Sequence, residues 1–362
     1  FEDLGFKYLG PIDGHDILAM EKTLQMAKEF GSPVIVHAIT EKGRGHTPAE
    51  QNEADKFHSV GVIDPETGEP VSTTATSWTS VFSNELIEIA RKREDIVALT
   101  AAMLGPTGLD KFAQQFPDRI FDVGIAEQHA VTFSAGLATQ GLTVFCNIYS
   151  SFMQRGYDQV VHDVCLQKLP VIFCLDRAGL AGADGPTHHG LLDLAFMRCV
   201  PNMIVAAPRN EQELRNIMYT ASLDTFKNHE KAMTIRYPRG EGVMPAWRTN
   251  FEEIEIGKGV QLAEGEEIAI LSIGHIGNEA VAACEMAREQ GLKPALFDMR
   301  FVKPLDEELL HRVFKQFKTI ITVEDAAIQG GFGSAIAEFM VDHSYTAKII
   351  RLGIADEIVE HG

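Results

Sequence analysis

One long segment of the sequence, residues 175–190, combines ionisable side chains with glycines: LDRAGLAGADGPTHHG. It follows the predicted strand Val171–Leu175, and ligands of open α/β sheets bind beyond the carboxyl ends of strands. Connections of this length between strand and helix are uncommon and often functional. A surface loop with incidental polar residues would also explain it, but the position favours a binding or proton-transfer site. The candidate side chains in it are Arg177, Asp184, His188 and His189.

Glu127 is the second candidate, within FDVGIAEQHAV, residues 121–131. The pattern predicts that a strand ends, that Gly124 turns the chain, and that Glu127 falls in the first turn of a helix. A favourable interaction with the helix dipole would explain a glutamate there. The helix that follows is almost uncharged, however, so this carboxylate enters a buried element, where its charged form needs a specific partner.

Two further segments follow predicted strands. RYPRG, residues 236–240, contains Arg239, which is either a salt-bridged surface residue or a second cation beside Arg177. YSSFMQRGYDQVVHD, residues 149–163, begins with Tyr149, Phe152 and Arg155 at the start of a predicted helix. Aromatic residues in such places are more often core residues, and for Phe152 a core role and a platform for a ligand ring stay equally open.

Two glycine-containing segments carry weaker signals. KGRGHTPAE, residues 42–50, with His58 shortly after it, is a basic turn that could bind anions. AIQGGFGSAIAEF, residues 327–339, lacks the GxGxxG spacing of a dinucleotide site, so a tight strand-to-helix turn is predicted. The sequence has no HExxH motif and no closely paired cysteines, which argues against a zinc site.

The elements that must position these residues alternate between strand and helix. This alternation predicts parallel sheets covered by helices on both faces, which is an α/β fold. Helices are predicted notably at Ala126–Thr139 and Phe152–Leu166, and near Gly277, Asp306 and Gly333. The predicted strands are Ile96–Ala101, Arg119–Asp122, Thr143–Ile148, Val171–Leu175, Met203–Ala207 and Met233–Tyr237, then Ile268–Ile273, Pro294–Asp298, Thr319–Val323 and Lys348–Leu352.

The first part of the chain is different. A helix at Asp16–Phe30 and a strand at Pro33–Ile39 cannot enclose a core, so this part must pack on something else. Residues 64–77 have the composition of a linker. We therefore expect three regions, residues 1–72, 73–248 and 249–362. The start at Phe1 and the abrupt end suggest a larger protein, truncated at both ends.

Composition limits the partners. The net charge of −19 argues against nucleic acids and anionic membranes, and it requires that a bound phosphate or carboxylate meet local cations. No apolar run reaches the roughly 20 residues of a membrane helix. Five cysteines without a CxxC pair fit a reducing cytoplasm.

The motifs together resemble the 1-deoxy-D-xylulose-5-phosphate synthase family, over essentially the whole chain. The matching segments, in order, are GPIDGHD, KGRGHTPAE, FHSV, GIAEQHAV, YSSFMQRGYDQVVHDV, DRAGLAGADGPTHHG and RYPRG. The resemblance implies a transketolase-type homodimer of three α/β domains. Residues 1–72 would be the tail and linker of the diphosphate-binding domain, residues 73–248 the pyrimidine-binding domain, and residues 249–362 a truncated transketolase C-terminal domain.

The resemblance also implies a thiamine diphosphate site. Glu127 matches the glutamate that hydrogen-bonds the aminopyrimidine ring of the cofactor, and Phe152 would pack against that ring. Tyr149 and Arg155 would line the site. His46 stands where the family usually has a tyrosine beside the cofactor, and a histidine can also stack and hydrogen-bond.

For the substrates, the resemblance implies pyruvate and D-glyceraldehyde 3-phosphate. Arg177 and Arg239 would bind the phosphate, with Tyr149 lining the same place. Asp184, His188 and His58 would face the reacting carbons, with the histidines as proton donors or acceptors.

The implied reaction gives 1-deoxy-D-xylulose 5-phosphate and CO2, the first step of non-mevalonate isoprenoid synthesis. In the family, a Gly-Asp-Gly motif and a following Asn bind the diphosphate and Mg²⁺. That motif is absent from this sequence, so we predict no metal ligands in this chain and expect them in a missing N-terminal part. Two alternatives stay open: two-carbon transfer of the transketolase type, and an inactive dimerisation fragment.

Overall fold

The computed structural model describes most of the chain, in two compact units, Phe1–Thr74 and Ala75–Gly362. The described residues are 1–52, 56–57, 63–64, 66–67 and 76–362. His58 and most of the predicted linker at 64–77 lie outside them. Among the described residues, no helix is long and apolar enough to cross a membrane.

The first unit is a small parallel βαβ arrangement. Its elements are β1 (Lys7–Asp13), α1 (Ile17–Glu29), β2 (Val34–Ile39) and α2 (Thr47–Gln51). The predicted helix and strand are confirmed, and the side chain of Asp16 caps α1 by accepting from Ala19 N at 3.0 Å. Strand β1 was not predicted, because Gly10 and Pro11 interrupt its apolar pattern. Among the described residues up to 67, only Ala49 is buried, so this unit has no core of its own, as predicted.

The second unit contains two sheets. Its strands are β3 (Ile96–Thr100), β4 (Ile120–Asp122), β5 (Thr143–Tyr149), β6 (Ile172–Asp176), β7 (Met203–Ala206), β8 (Ala232–Arg236), β9 (Val260–Ala263), β10 (Ile268–Ile273), β11 (Ala295–Asp298), β12 (Phe301–Lys303), β13 (Thr319–Ala327) and β14 (Lys348–Ile354). Seven strands form one sheet in the order β12-β7-β8-β6-β5-β3-β4, and five form the other in the order β14-β13-β10-β11-β9. Pairing is parallel except for β12 with β7 and β9 with β11.

Helices cover the sheets. They are α3 (Trp78–Lys92), α4 (Leu109–Gln115), α5 (Glu127–Thr139), α6 (Ser150–Met153), α7 (Tyr157–Gln159), α8 (Asp193–Arg198), α9 (Glu211–Ser222), α10 (Asp224–Lys227), α11 (Gly277–Glu289), α12 (Glu307–Gln316) and α13 (Phe332–Asp342). Every residue of β3, β5, β6, β7 and β8 is buried, which is the pattern of a sheet covered on both faces. The predicted α/β arrangement is thus confirmed.

The core explains why the two sheets form one unit. One apolar cluster continues from Phe173 in the large sheet to Ile273 in the small sheet and to Phe332, which begins α13. Strand β12 also connects the two sheets: in sequence it lies between β11 and β13 of the small sheet, but it pairs with β7 of the large sheet. Cys146 and Cys174, predicted as small core residues, are fully buried.

The predicted helix Phe152–Leu166 is present as a continuous helical segment, Ser150–Cys165, but it is not a regular α-helix throughout. Helices α6 and α7 are separated by a 3-10 turn and followed by a π-helical turn at Val160–Cys165. The 3-10 turn ends at Gly156, where an added Cβ would lie 3.0 Å from Val131 Cγ2 and 3.3 Å from Glu127 O. This segment therefore packs closely on the first turns of α5, and the glycine permits the approach.

Candidate active site

The segment predicted to be functional, residues 175–190, begins within β6, and its part after the strand, residues 177–190, is here called the active-site loop. Its first residue, Arg177, has a φ of 60° and donates from Nη1 to Pro106 O at 3.1 Å. The same Nη1 lies 2.9 Å from Oδ2 of the fully buried Asp176, which also accepts from Thr79 Oγ1 at 3.1 Å. Burial raises the pKa of the Asp176 carboxyl, and the Arg177 guanidinium opposes that rise. Arg177 is therefore held rigidly at the sheet edge.

Arg177 and Arg239 converge on one carboxylate. Arg239 Nε lies 3.0 Å from Asp184 Oδ2, and Arg177 Nε lies 3.8 Å from the same oxygen. Arg239 follows β8, the neighbour of β6, so parallel strand ends bring the two arginines together. Arg177 Nε is buried and has no hydrogen-bond partner among the described residues. An anion could use this unsatisfied donor together with the partly exposed Arg239.

Three rings form an aromatic patch beside the arginines: Tyr149, Phe152 and His188. The ring centroids of Tyr149 and Phe152 are 5.5 Å apart, and those of Phe152 and His188 are 5.2 Å apart. Arg177 Cζ lies 4.3 Å from the Tyr149 ring centroid, a cation–π contact. Burial raises the pKa of the Tyr149 hydroxyl, so this group stays protonated. Phe152 is thus placed at a site edge and is not enclosed in the core.

Glu127 begins α5, as predicted, and only 3% of its surface is exposed. Arg155 Nη1 lies 3.5 Å from Glu127 Oε1, and Arg155 Cζ lies 5.2 Å from the Phe152 ring centroid. No group within residues 76–362 donates a hydrogen bond to the Glu127 carboxylate. A buried carboxylate with one partly exposed ion partner is costly unless a further donor binds it.

The two adjacent histidines of the active-site loop have different environments. His188 is partly exposed and its Nδ1 lies 2.9 Å from Thr187 Oγ1. His189 is buried, and its Nδ1 accepts from Ala181 N at 2.9 Å. Its Nε2 must therefore carry the hydrogen, which points to Glu360 O at 3.2 Å. His189 serves to hold the loop, while His188 remains free to meet a ligand.

A cavity of about 1030 Å³ adjoins the aromatic patch. Phe152, Arg155 and Thr187 line one side, and the segment from Ile354 to Val359 lines the other. The volume is enough for a cofactor-sized molecule.

Two predicted site residues, His46 and His58, do not belong to the second unit. His46 precedes α2 in the first unit, where its ring centroid lies 5.8 Å from that of Phe57. His58 lies outside the described residues. Within the described part of the chain, no three or more His, Cys, Asp or Glu side chains are grouped to bind a metal.

Sequence reasoning missed a set of buried charges beneath the loop. Arg236 Nε donates to Asp193 Oδ2 at 2.8 Å, and Arg236 Nη2 donates to Asp325 O at 3.0 Å. Burial acts to lower the pKa of Arg236, but the carboxylates of Asp193, Asp325 and Glu324 together outweigh it, and the pKa is raised. An arginine at the end of a largely apolar strand is a sequence signal for a buried charge. Its partners Asp193 and Asp325 are distant in sequence, so they could not be inferred.

Comparisons with known proteins agree with this organisation. Residues 74–243 match the transketolase pyrimidine-binding domain and residues 257–362 the transketolase C-terminal domain. Residues 1–40 match the family model described as 1-deoxy-D-xylulose-5-phosphate synthase. The predicted transketolase-type domain pair is confirmed.

Two curated proteins that are similar to this chain have the same name. The 1-deoxy-D-xylulose-5-phosphate synthase of Cytophaga hutchinsonii is 58% identical over 100% of this chain and 57% of its own length. That of Aquifex aeolicus is 49% identical, with the same two coverages. This chain thus spans little more than half the length of these relatives.

A solved structure, described as a split gene transketolase in an inactive beta4 tetramer, is 29% identical with a TM-score of 0.69. The match covers 78% of this chain and 91% of that one. The chain belongs to the 1-deoxy-D-xylulose-5-phosphate synthase family, with the pyrimidine-binding and C-terminal domains of the transketolases.

Proposed function

We propose that the whole protein is a thiamine diphosphate-dependent synthase that condenses pyruvate with D-glyceraldehyde 3-phosphate. The products are 1-deoxy-D-xylulose 5-phosphate and CO2. One observation carries the proposal: the buried Glu127, the aromatic patch and the arginine pair are linked by successive contacts along one edge of the seven-stranded sheet. The names of the relatives supply the reaction.

The site fits the pyrimidine end of the cofactor. Glu127 is a buried acceptor without a hydrogen-bond donor among residues 76–362. The ring of Phe152 lies near it, since Arg155 contacts both side chains. When bound, thiamine diphosphate supplies the carbon nucleophile and the electron sink. Glu127 would hold a proton at its carboxyl group and exchange it with a ring nitrogen, and Phe152 would exclude water from that exchange.

The other end of the site fits a phosphorylated aldehyde. Arg177 is fixed by Asp176, so its guanidinium needs no reorganisation to bind a phosphate. Arg239 would complete a two-cation clamp, with Asp184 moving aside or sharing the donors. Partly exposed and next to the patch, His188 would donate or accept a proton at the reacting carbons.

For the metal site, the oligomeric state and the compartment of the whole protein, the proposal follows the family. The diphosphate and Mg²⁺ would be bound by parts of the relatives that this chain does not match. We propose a cytoplasmic homodimer. Unpaired cysteines, of which four are buried and Cys199 is exposed, support a reducing compartment.

The experiment is an assay of the full-length protein with pyruvate, D-glyceraldehyde 3-phosphate, thiamine diphosphate and Mg²⁺. We expect CO2 release from pyruvate that depends on the aldehyde, and a fall in kcat of at least about 100-fold in Glu127→Gln. The exposed Glu289 at the end of α11 provides the control Glu289→Gln, which should retain full activity. Absence of CO2 release, with two-carbon transfer between sugar phosphates instead, would replace this function with the transketolase reaction.

For the present chain alone, an inactive assembly is the second candidate, since the solved relative that matches 78% of this chain is described as inactive. Calorimetric titration with thiamine diphosphate and Mg²⁺ tests this. We expect weak or undetectable binding, because no Gly-Asp-Gly motif is present. Tight, Mg²⁺-dependent binding would contradict it.

A further inference from the structure

The active-site loop is closed at its base by a pair of glycines. Gly179 and Gly190 exchange two backbone hydrogen bonds, each 2.8 Å long. The next residue, Leu180, donates its backbone N–H to Asp325 Oδ2 at 3.2 Å. Asp325 belongs to β13 of the five-stranded sheet, so a residue of the C-terminal domain binds the backbone of a loop that starts in the pyrimidine-binding domain.

A histidine holds this carboxylate in place. His275 Nε2 lies 3.2 Å from Asp325 Oδ2, the same oxygen that accepts from Leu180. Burial lowers the pKa of His275, and the neighbouring Asp325 opposes that shift. At neutral pH the ring is therefore neutral, and its Nε2 contacts the carboxylate oxygen at 3.2 Å. Both contacts of the Asp325 side chain thus converge on a single acceptor oxygen.

Gly179 shows how closely the loop and the carboxylate approach. An added Cβ at this position would lie 1.8 Å from Asp325 Oδ2 and 2.5 Å from its Cγ. The φ of Gly179 is also 80°, in the left-handed region that favours glycine. No larger side chain fits unless the loop or Asp325 moves.

The anchored segment leads directly to the site. Asp184 and His188 follow Leu180 in the same loop, and Asp184 is the carboxylate between Arg177 and Arg239. We infer that Asp325, oriented by His275, is a positioning residue that sets the active-site loop and thereby places Asp184 and His188 for the phosphorylated aldehyde. Its catalytic consequence rests on the proposed function, whereas the anchoring itself does not.

A purely structural role for Asp325 can be separated from this one. The contact that ties Asp325 to the buried Arg236 uses the backbone oxygen of Asp325, not its side chain. Replacing the side chain therefore leaves the link between the two sheets in place. What is lost is the hydrogen bond to the loop, together with the contact to His275 and the Coulomb attraction between the carboxylate and Arg236.

The first experiment is amide hydrogen exchange on the present chain. Asp325→Ala should accelerate exchange of the Leu180 amide by about tenfold or more, because a charge-assisted hydrogen bond is removed. Asp325→Asn should stay close to the wild type, since one amide oxygen can replace Oδ2 in both contacts. The control is Asp342→Ala, the same change at an exposed residue at the end of α13. Unchanged exchange at Leu180 in Asp325→Ala overturns the inference.

The second experiment uses the full-length protein. Asp325→Ala should raise the KM for D-glyceraldehyde 3-phosphate by about tenfold or more and leave the KM for pyruvate within about twofold, with Asp325→Asn near the wild type. In Gly179→Ala the new methyl group would clash with Asp325 and displace the loop, so this variant should also raise the KM for D-glyceraldehyde 3-phosphate and not the KM for pyruvate. The double variant should show less than the sum of the two effects, because removal of the Asp325 carboxylate leaves room for the new methyl group.

The outcomes distinguish the two claims. If the wild type lacks the synthase reaction, the proposed function fails, and the Leu180 exchange still decides whether Asp325 anchors the loop. If both KM values rise equally in Asp325→Ala while the rest of the chain exchanges faster, Asp325 is only a stability residue and the inference is wrong.

Discussion

Arg239 and Asp184 form an ion pair in which Nε lies 3.0 Å from Oδ2. Arg177 approaches the same oxygen at 3.8 Å. The Asp184 carboxylate thus lies where the two guanidinium groups point, which is the place that a substrate phosphate would take. A phosphate must therefore compete with Asp184, and the affinity of the site for anions is the difference between two charge-assisted interactions.

The first prediction concerns Arg239. In the full-length protein, Arg239→Met should raise the KM for D-glyceraldehyde 3-phosphate by about 10- to 100-fold, since a hydrogen bond to a charged group contributes roughly 1.5–3 kcal/mol. The KM for pyruvate should not change. Steady-state kinetics with each substrate varied in turn gives both values. Arg312→Met is the control, because Arg312 is exposed on α12 and forms no ion pair with described residues. Equal KM values for Arg239→Met and the wild type would remove Arg239 from the phosphate site.

The second prediction concerns Asp184 itself. Asp184→Asn should make the present chain bind inorganic phosphate about tenfold more tightly, because a neutral amide competes less for the two arginines. Titration calorimetry at low ionic strength measures the difference, since exposed charges are screened by salt. The affinity should fall again in the double variant Asp184→Asn/Arg239→Met. If Asp184→Asn binds phosphate no better than the wild type, the carboxylate does not occupy the anion position.

The third prediction concerns the glycine turn between β13 and α13. At Gly331, an added Cβ would lie 2.1 Å from Glu324 Oε2 and 2.5 Å from Ala327 O. Gly331→Ala should therefore lower the free energy of unfolding of the present chain by about 1–3 kcal/mol. Gly136 lies inside α5 with no atom within 4 Å of an added Cβ, so Gly136→Ala should be neutral or stabilise by up to about 1 kcal/mol. Urea unfolding of both variants checks the contrast, and equal effects would refute it.

The positions of several candidate residues could be predicted from the sequence, because the ends of neighbouring strands determine them. Glu127, Tyr149, Arg177 and Arg239 all lie at or just after the carboxyl ends of strands, and parallel pairing brings those ends to one edge. The pattern of apolar runs was sufficient for this. It also predicted that the glycines at 330–333 form a strand-to-helix turn, which the structure confirms.

The remaining features depend on contacts between residues distant in sequence. Asp325 lies 145 residues from Leu180, and no local pattern links them. Strand β12 has three residues and pairs with a strand nearly a hundred positions earlier, so its periodicity was too short to detect. His188 and His189 are adjacent and identical in type, and only tertiary packing makes the second a buried anchor.

Glu324 gives the last prediction its structural basis. Its carboxylate accepts the backbone N–H groups of Phe332 at 2.6 Å and Gly333 at 2.8 Å, and so caps the first turn of α13. Burial raises the pKa of this carboxyl from 4.5 to about 7, although these hydrogen bonds and the cations Arg236 and Arg351 oppose the rise. The folded state thus holds a proton that the unfolded state releases at lower pH.

The sign of the pH dependence follows from that difference. A carboxyl group whose pKa is raised on folding stabilises the folded state fully below its unfolded pKa, and this contribution is lost as the pH rises through about 7. The free energy of unfolding of the wild type, minus that of Glu324→Gln, should therefore fall by roughly 2–3 kcal/mol between pH 5 and pH 8. Any constant cost of the glutamine, such as a lost hydrogen bond to Phe332 or Gly333, cancels because only the change with pH is compared. Urea unfolding at a series of pH values gives the curve, and Glu289→Gln should give a flat one. A flat curve for Glu324→Gln as well would mean that the N–H groups of α13 outweigh burial and keep Glu324 ionised throughout this range.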